Sequence, residues 1–470
     1  MSRKRDRQEV RGGSASTSIA AIRHILRDRN FRFLWIGQGI SLLGDQLYIV
    51  ALPWLVLQLT GGAFATGSVL ALVAVPRAVF MLLGGALTDR LSPRVVMLAS
   101  NLARLALVAT LSVLTLTGVV QLWMLYIFAL LFGFADAFFF PAQGAIVPRL
   151  VGAEHLQIGN AVIQGTAQLA MFVGPTLAGL MIALLGRRTA SGSVPDSFGI
   201  GAALGLDALT FIASVVALSL MRMGRQETPD VAPKKTSVVR SILEGLTAIW
   251  EDAALRYYFI LIAAATFLLL GPFAVGIPVL AHSRYTEGAM ALGTILSSFG
   301  AGSLIGIVIA AVTPRPSGRA FPAVMLVMCA FLGIGLVLLG LSLALAPAAL
   351  AALVLGFAQG YVVIQWITWM QIRTPAHMLG RTMSVLMFSV VGLAPLSNAA
   401  AGALIQLHPT VVMVSAGALI VLVVSVGALS PSVWQIGQDP ATQETVEPQE
   451  SQAPEETHPG DTPSLCEEQT

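Results

Sequence analysis

The chain has 470 residues, of which 56% are hydrophobic and only 11% charged, against about a quarter charged in an ordinary soluble domain. That composition excludes a soluble globular protein and implies one that lives in a membrane. The net charge of +3 hides a strong polarity, because nine Lys or Arg fall between Arg3 and Arg32 and nine Asp or Glu follow Gln438.

Residues 1–32 form a basic, polar arm without the short apolar core and small-residue cleavage site of a signal peptide, so the first span is expected to serve as its own membrane address. Apolar runs of roughly 20 residues, each long enough to cross a ~30 Å hydrocarbon layer as a helix, follow at 33–57, 64–87, 95–117, 121–143, 156–185 and 199–221. Six more stand at 256–280, 289–312, 321–343, 347–371, 380–407 and 409–428. A β-barrel is excluded, since its strands alternate apolar and polar residues, whereas Val119 to Phe140 is apolar nearly throughout. The expectation is an all-α membrane protein with twelve transmembrane helices, in which every backbone polar group finds a partner within its own helix.

The longest polar interruption, 222–255, separates a six-helix bundle at 33–221 from a second at 256–430 and reads as a cytoplasmic linker. Within it Val238, Ile242, Leu246 and Ile249 recur at helical spacing, as in a short amphipathic helix on the membrane surface. Residues 431–470, rich in Pro, Gln, Glu and Thr, read as a disordered acidic tail. Lys and Arg crowd the connections on one side, from Arg90 and Arg94 to Arg373 and Arg381, while the other side has Arg187, Arg188 and Arg284. By the positive-inside rule both termini are cytoplasmic, and the basic arm is a juxtamembrane segment rather than a nucleic-acid site. Cys329, within a span, and Cys466, in the tail, suggest no bridge.

The two halves repeat each other. Thr88, Arg90, Ser92 and Arg94 recur 225 residues later as Thr313, Arg315, Ser317 and Arg319. Gly133 to Asp136 answers to Gly356 to Gln359, Pro53 to Pro278, and Pro148 to Pro375. Parallel duplication into two pseudo-symmetric six-helix bundles, facing each other across a cavity, is the simplest account.

Charged groups inside spans cost about 2.5 kcal/mol or more each on insertion scales and so point to function. They are Asp45, Arg77, Arg104, Asp136 and Asp207, all in the first half. A carboxylate in a low-dielectric cavity binds a proton more readily than one in water. Asp45 or Asp136 can therefore take up a proton on one side and release it on the other, with Arg77 or Arg104 pairing to the charged form; a fixed pair that never titrates is the alternative. Gln143, Gln164, Gln359, Tyr361, Gln365 and Trp366 are candidate contacts for a bulky solute, and Trp369 reads as an interfacial anchor. The scattered histidines have no metal-ligand spacing and there is no P-loop, so neither an enzyme, a cofactor nor a metal is expected.

Twelve spans, a basic central loop, and Gly85, Leu87, Asp89, Arg90 and Arg94 between the second and third spans together resemble the major facilitator superfamily, in which Ser92 and Pro93 would be glycine and a basic residue. The resemblance implies a cytoplasmic gate at Gly85, Asp89, Arg90 and Arg94. Ala170, Gly174, Pro175, Ala178 and Gly179 are similar to a pattern of the family's antiporters, and small residues at this spacing let helices approach closely. Ile40 to Asp45, Phe140 to Pro148, Leu156 to Ala161 and Gln371 to Arg381 resemble the enterobactin-exporter-like and macrolide-efflux-like branch. That likeness implies a monomer in a prokaryotic cell membrane, exporting a bulky amphipathic compound in exchange for protons. An arginine that neighbouring exporters carry in the fourth helix is missing from Val119 to Phe140, so its role in coupling does not carry over. Uptake by symport, and a receptor or scaffold without transport, are the competing expectations.

Overall fold

The computed structural model describes residues 23–151, 155–186, 196–222, 250, 253–313, 316, 318–373, 379–430 and 433–434, with the backbone alone at 81–90, 253–255, 257–258, 371–373 and 379–390. The arm before residue 23, most of the 222–255 linker with its amphipathic segment, and the tail beyond 434 lie outside the described residues. What is described is helical almost throughout: α1 Arg29–Thr60, α2 Ala63–Arg90, α3 Pro93–Leu116, α4 Leu122–Leu150, α5 Leu156–Leu185 and α6 Ser197–Leu220. Then come α7 Ala253–Gly271, a π-helical turn Pro272–Gly276 leading into α8 Ile277–Arg284, α9 Ala289–Val312, α10 Ala320–Leu341, α11 Leu345–Arg373, α12 Leu379–Ile405 and α13 Pro409–Ala428.

Eleven spans among the described residues are long and apolar enough to cross a membrane, with α7, the π turn and α8 contributing to one of them. At the place of the twelfth stands α12, 27 residues long, whose described apolar stretch is Val391–Ile405. Large side chains within the spans, such as Val113, Leu209 and Leu422, are more than half exposed, as befits surfaces facing lipid rather than water.

Local chemistry sets the helix ends. Asp28 caps α1 by accepting the Phe31 N–H at 2.7 Å, and Gly61 closes it in the left-handed conformation with φ 62°, a region that glycine enters without steric cost. Ser92 and Pro93, the two departures from the family's loop pattern, are the N-cap and first residue of α3, where a serine oxygen and a fixed proline φ both favour helix initiation.

Between helices in lipid the apolar surface gives little drive for association, so close backbone packing has to supply it. The first six helices pack on one another and so do those from α7 to α13, while α2 against α12 and α5 against α9 make the main contacts between the two sets. A side-chain carbon at Gly67 would lie 2.6 Å from the Gly402 Cα, and one at Gly179 would lie 3.1 Å from the Gly293 Cα. These pairs are repeats of each other, since 67 and 293 are 226 apart and 179 and 402 are 223 apart. The same duplication sets α4 on α2, with Gly133 against the Val73 carbonyl, and α11 on α9, with Gly356 against the Phe299 carbonyl.

Successive spans run up and down, so the α1–α2, α5–α6, α8–α9 and α12–α13 connections lie at one end, here the first end. Trp54 on α1 meets His282 on α8 edge-on at 5.5 Å there, joining the two sets of helices. The glycine approaches between the sets, at Gly67, Gly179, Gly293, Gly300 and Gly402, all fall between mid-helix and this end.

Candidate functional site

The π turn comes from a side chain inserted into a helix. Ser397 on α12 donates its hydroxyl to the Phe267 carbonyl at 2.5 Å and accepts the Gly271 N–H at 2.7 Å. It thereby occupies the place of the direct bond between those two groups, a recognised cause of helix distortion. Pro272 then removes the next donor.

Beside this break lies a cavity of about 540 Å³ between the two sets of helices. Its wall repeats the duplication: Tyr48 with Phe273, Pro53 with Pro278, Leu70 with Leu296, Val73 with Phe299, Met171 with Ala394 and Pro175 with Asn398, each pair 223 to 226 residues apart. The wall is apolar apart from a few groups, as ligand cavities generally are. Gln46 and Arg77 reach it, and the Tyr48 Oη and Asn398 Oδ1 are buried without a hydrogen-bond partner among the described residues.

Behind Arg77 the four residues expected to couple protons form one connected network. Arg77 Nη1 lies 3.4 Å from Asp136 Oδ2, Arg104 Nη1 lies 3.3 Å from Asp136 Oδ1, and the same nitrogen lies 3.6 Å from Asp45 Oδ1. Asp45 stands on α1, Arg77 on α2, Arg104 on α3 and Asp136 on α4. The inner pair is sealed, with side-chain exposure of 2% for Arg104 and 8% for Asp136, while Arg77 and Asp45 keep 36% and 26%. Arg104 also donates to Asn101 Oδ1 at 2.7 Å, and Asn101 in turn donates to Ser214 on α6 at 2.9 Å. Phe139 sits 4.1 Å and Phe211 4.8 Å from the Arg104 guanidinium, and Phe140 lies 4.3 Å from that of Arg77, so aromatic faces replace part of the lost hydration. The equivalent positions in the second half are Leu270, Ser303, Cys329 and Gln359, all uncharged.

The remaining candidates are placed elsewhere. None of Gln143, Gln164, Gln359, Tyr361, Gln365 and Trp366 is among the residues lining this cavity. Gln164 is exposed, Gln143 and Gln359 are half-buried, and Tyr361, Gln365 and Trp366 are buried on α11, which packs between α9 and α10. Trp369 is 3% exposed and stacks on Trp366 at 5.3 Å, so it serves bundle packing rather than the interfacial belt expected of it. Gly174, Pro175 and Gly179 do bring helices together: Gly174 faces Gln46 on α1, Gly179 faces Gly293 on α9, and Pro175 lines the cavity.

At the proposed gate, the side chains of Gly85, Asp89 and Arg90 lie outside the described residues. Arg94 donates from Nε to the Leu218 carbonyl at 2.7 Å and from an Nη to that of Ser219 at 2.8 Å. It thus holds the C-terminal carbonyls of α6, within its own half, a favourable place for a cation. Sequence reasoning missed Gln46, Tyr48 and Asn101 as members of the site; the three-residue spacing of Asn101 and Arg104 on one helix face was the available signal.

A multi-pass helical protein with two repeated sets of helices around an internal cavity, and with charges buried in one wall, has the construction of a membrane transporter. Residues 34–397 match the Major Facilitator Superfamily, and the chain belongs to that family; it is a transporter of small molecules rather than an enzyme. It is 30% identical over 392 residues to the multidrug efflux pump Tap of Mycolicibacterium fortuitum, covering 82% of this chain and 91% of that one. Macrolide efflux protein A of Streptococcus pyogenes is 21% identical over 59% of this chain and 64% of its own length. Among solved structures, the nucleoside transporter NupG superposes with a TM-score of 0.63 at 12% identity, over 84% of this chain and 98% of that one. A bacterial homologue of the iron transporter ferroportin, in an inward-facing state, gives 0.61 at 14% identity over 86% and 99%.

Proposed function

We propose that this chain exports a bulky amphipathic organic compound from the cytoplasm in exchange for protons, by alternating access. The observation that carries the reading is the Asp45–Arg104–Asp136–Arg77 network, which reaches the cavity through Arg77. Arg104 holds two acids at once, so a proton arriving on the more exposed one, Asp45, removes an ionic tie between α1 and α3 without leaving a buried charge unpaired. Such a change biases a two-state packing of helices, which is what coupling requires.

The efflux proteins among the relatives support outward transport, and the largely apolar cavity supports an amphipathic cargo, with Tyr48, Gln46 and Asn398 offering the polar contacts. With both termini cytoplasmic, the first end faces outward, and the conformation is one in which the two bundles meet on the outer side. Asp89, Arg90 and Arg94 then stand on the cytoplasmic side as the gate that forms when the bundles rock the other way.

Proteoliposomes with an imposed proton gradient test the reading. Wild type should drive solute against its gradient as protons move the opposite way, and Asp45→Asn should uncouple it. Solute moving in the same direction as protons would instead establish symport. Full gradient-driven transport in both Asp45→Asn and Asp136→Asn would remove the acids from the mechanism.

A further inference from the structure

Away from the helix ends, the described ionisable side chains of the first six helices do not cancel in charge. Arg77 and Arg104 are permanently protonated, and the same core holds three carboxyls, those of Asp45, Asp136 and Asp207. Asp136 meets both arginines and Asp45 meets one.

Asp207, on α6, forms no ion pair among the described residues and is fully buried. Among the described residues its Oδ2 has no hydrogen-bond partner, and its Oδ1 has only the Thr210 hydroxyl at 3.4 Å, a bond shared with the Asp207 carbonyl. Gly44 packs directly on that carboxyl, because a side-chain carbon at Gly44 would collide with Asp207 Oδ1. The missing Cβ makes a notch that sets the acid against the α1 backbone one residue before Asp45. The groups that face Asp207 from neighbouring helices are Asp45 and Tyr48 on α1 and Arg104 on α3, while α5, which also packs on α6, has no ionisable side chain.

With two permanent positive charges, two ionised carboxylates complete a neutral centre, and a third would be an unpaired charge in the interior. Buried charges persist only when paired, and a carboxyl without a partner neutralises instead. We propose that Asp207 is an additional proton-binding acid of the centre: it carries a proton while Asp45 and Asp136 are ionised and exchanges it with Asp45. The transfer breaks the Asp207 O–H bond and forms one on Asp45. Arg104 then loses Asp45 as an anionic partner and gains the Asp207 carboxylate as its counter-charge, so during this internal transfer the centre keeps its one proton and no net charge. The role in coupling rests on the proton-exchange reading above, whereas the resident proton does not.

Infrared spectroscopy of the full chain in nanodiscs at neutral pH tests the assignment through the C=O stretch of a protonated carboxyl, identified by its shift in D₂O. Wild type should display that band. Asp207→Asn should abolish it, Asp207→Glu should move it to the position of a protonated glutamic acid, and Asp45→Glu should leave it in place. Absence of the band from wild type, its persistence in Asp207→Asn, or a move in Asp45→Glu instead of Asp207→Glu overturns the proposal. Should the Asn variant fail to fold, the two Glu variants still decide. Proteoliposome transport separates the two levels: a wild type that ignores the proton gradient defeats the coupling reading, while the band still reports on Asp207.

Discussion

Arg104 Nη1 lies 3.3 Å from Asp136 Oδ1 in a site where the arginine side chain is 2% exposed, and with Asp45 at 3.6 Å the same nitrogen ties α1, α3 and α4 together. Breaking such a buried pair by removing one partner typically costs about 3–5 kcal/mol, because the other charges stay behind uncompensated. Arg104→Gln should therefore lower the unfolding midpoint in detergent strongly, and Arg104→Gln combined with Asp136→Asn should recover a large part of the loss. Arg104→Lys should fall between, since an ammonium cannot reproduce the planar fork that binds Asn101 and lies over Phe139. Additive losses in the double variant would mean that the two residues act independently.

The duplicated wall of the cavity predicts a duplicated response. Leu70 and Leu296 occupy equivalent, half-buried positions on α2 and α9. Tryptophan at either should fill the cavity proposed above to hold the solute. Leu70→Trp and Leu296→Trp are each expected to abolish solute counterflow in proteoliposomes while inserting normally and keeping a wild-type melting temperature. Loss of counterflow in only one of them would place the solute against a single half.

Fold and repeat were legible because the bilayer imposes a length and a composition on every span, and because Gly133 with Gly356 and Pro53 with Pro278 are residue types whose loss is costly at close backbone approaches and bends. Four of the five intramembrane charges could be read as a set, since charge in a span demands a partner. Their connectivity could not, because it depends on how α1 to α4 rotate about their axes. The candidate solute contacts on α11 do not reach this cavity for a related reason. Glutamines and tryptophans on α11 have the right chemistry, but the glycine faces of α9 and α11 pack that helix into its own bundle. Asn398 and Tyr48, less conspicuous in the sequence, line the cavity and, like Arg77 at Nε, have a buried polar atom without a hydrogen-bond partner among the described residues.

Ser397 holds α7 open by standing between the Phe267 carbonyl and the Gly271 N–H. Alanine removes the bridge and leaves two choices, two unsatisfied backbone groups or a direct helical bond that straighten α7. The first costs about 1–3 kcal/mol for each group, so the second should prevail. Ser397→Ala is expected to shift the balance of conformations and slow transport, whereas Ser397→Thr, which keeps the hydroxyl, should retain it. Amide hydrogen exchange at Gly271 reads the outcome, with greater protection predicted in the alanine variant. Unchanged exchange and unchanged transport would reduce Ser397 to ordinary packing.

The glycine pairs between the halves set a limit on how closely the first end can shut. At Gly402 a new side-chain carbon would lie 2.8 Å from the Gly67 Cα. That neighbour is backbone, so it cannot swing aside, and small-residue contacts of this kind are what allow helices to meet in lipid. Gly402→Val should hold α12 away from α2 and depopulate the state in which the halves meet there. Spin labels at Thr60 and Leu407, both exposed at that end, should report a longer distance in the variant than in wild type. Transport should fall in step, because a carrier that cannot close one end cannot complete its cycle. Gly179→Val, at the equivalent pair on α5 and α9, should do the same through the other seam, and a wild-type distance in both variants would mean that the halves do not separate along these glycines.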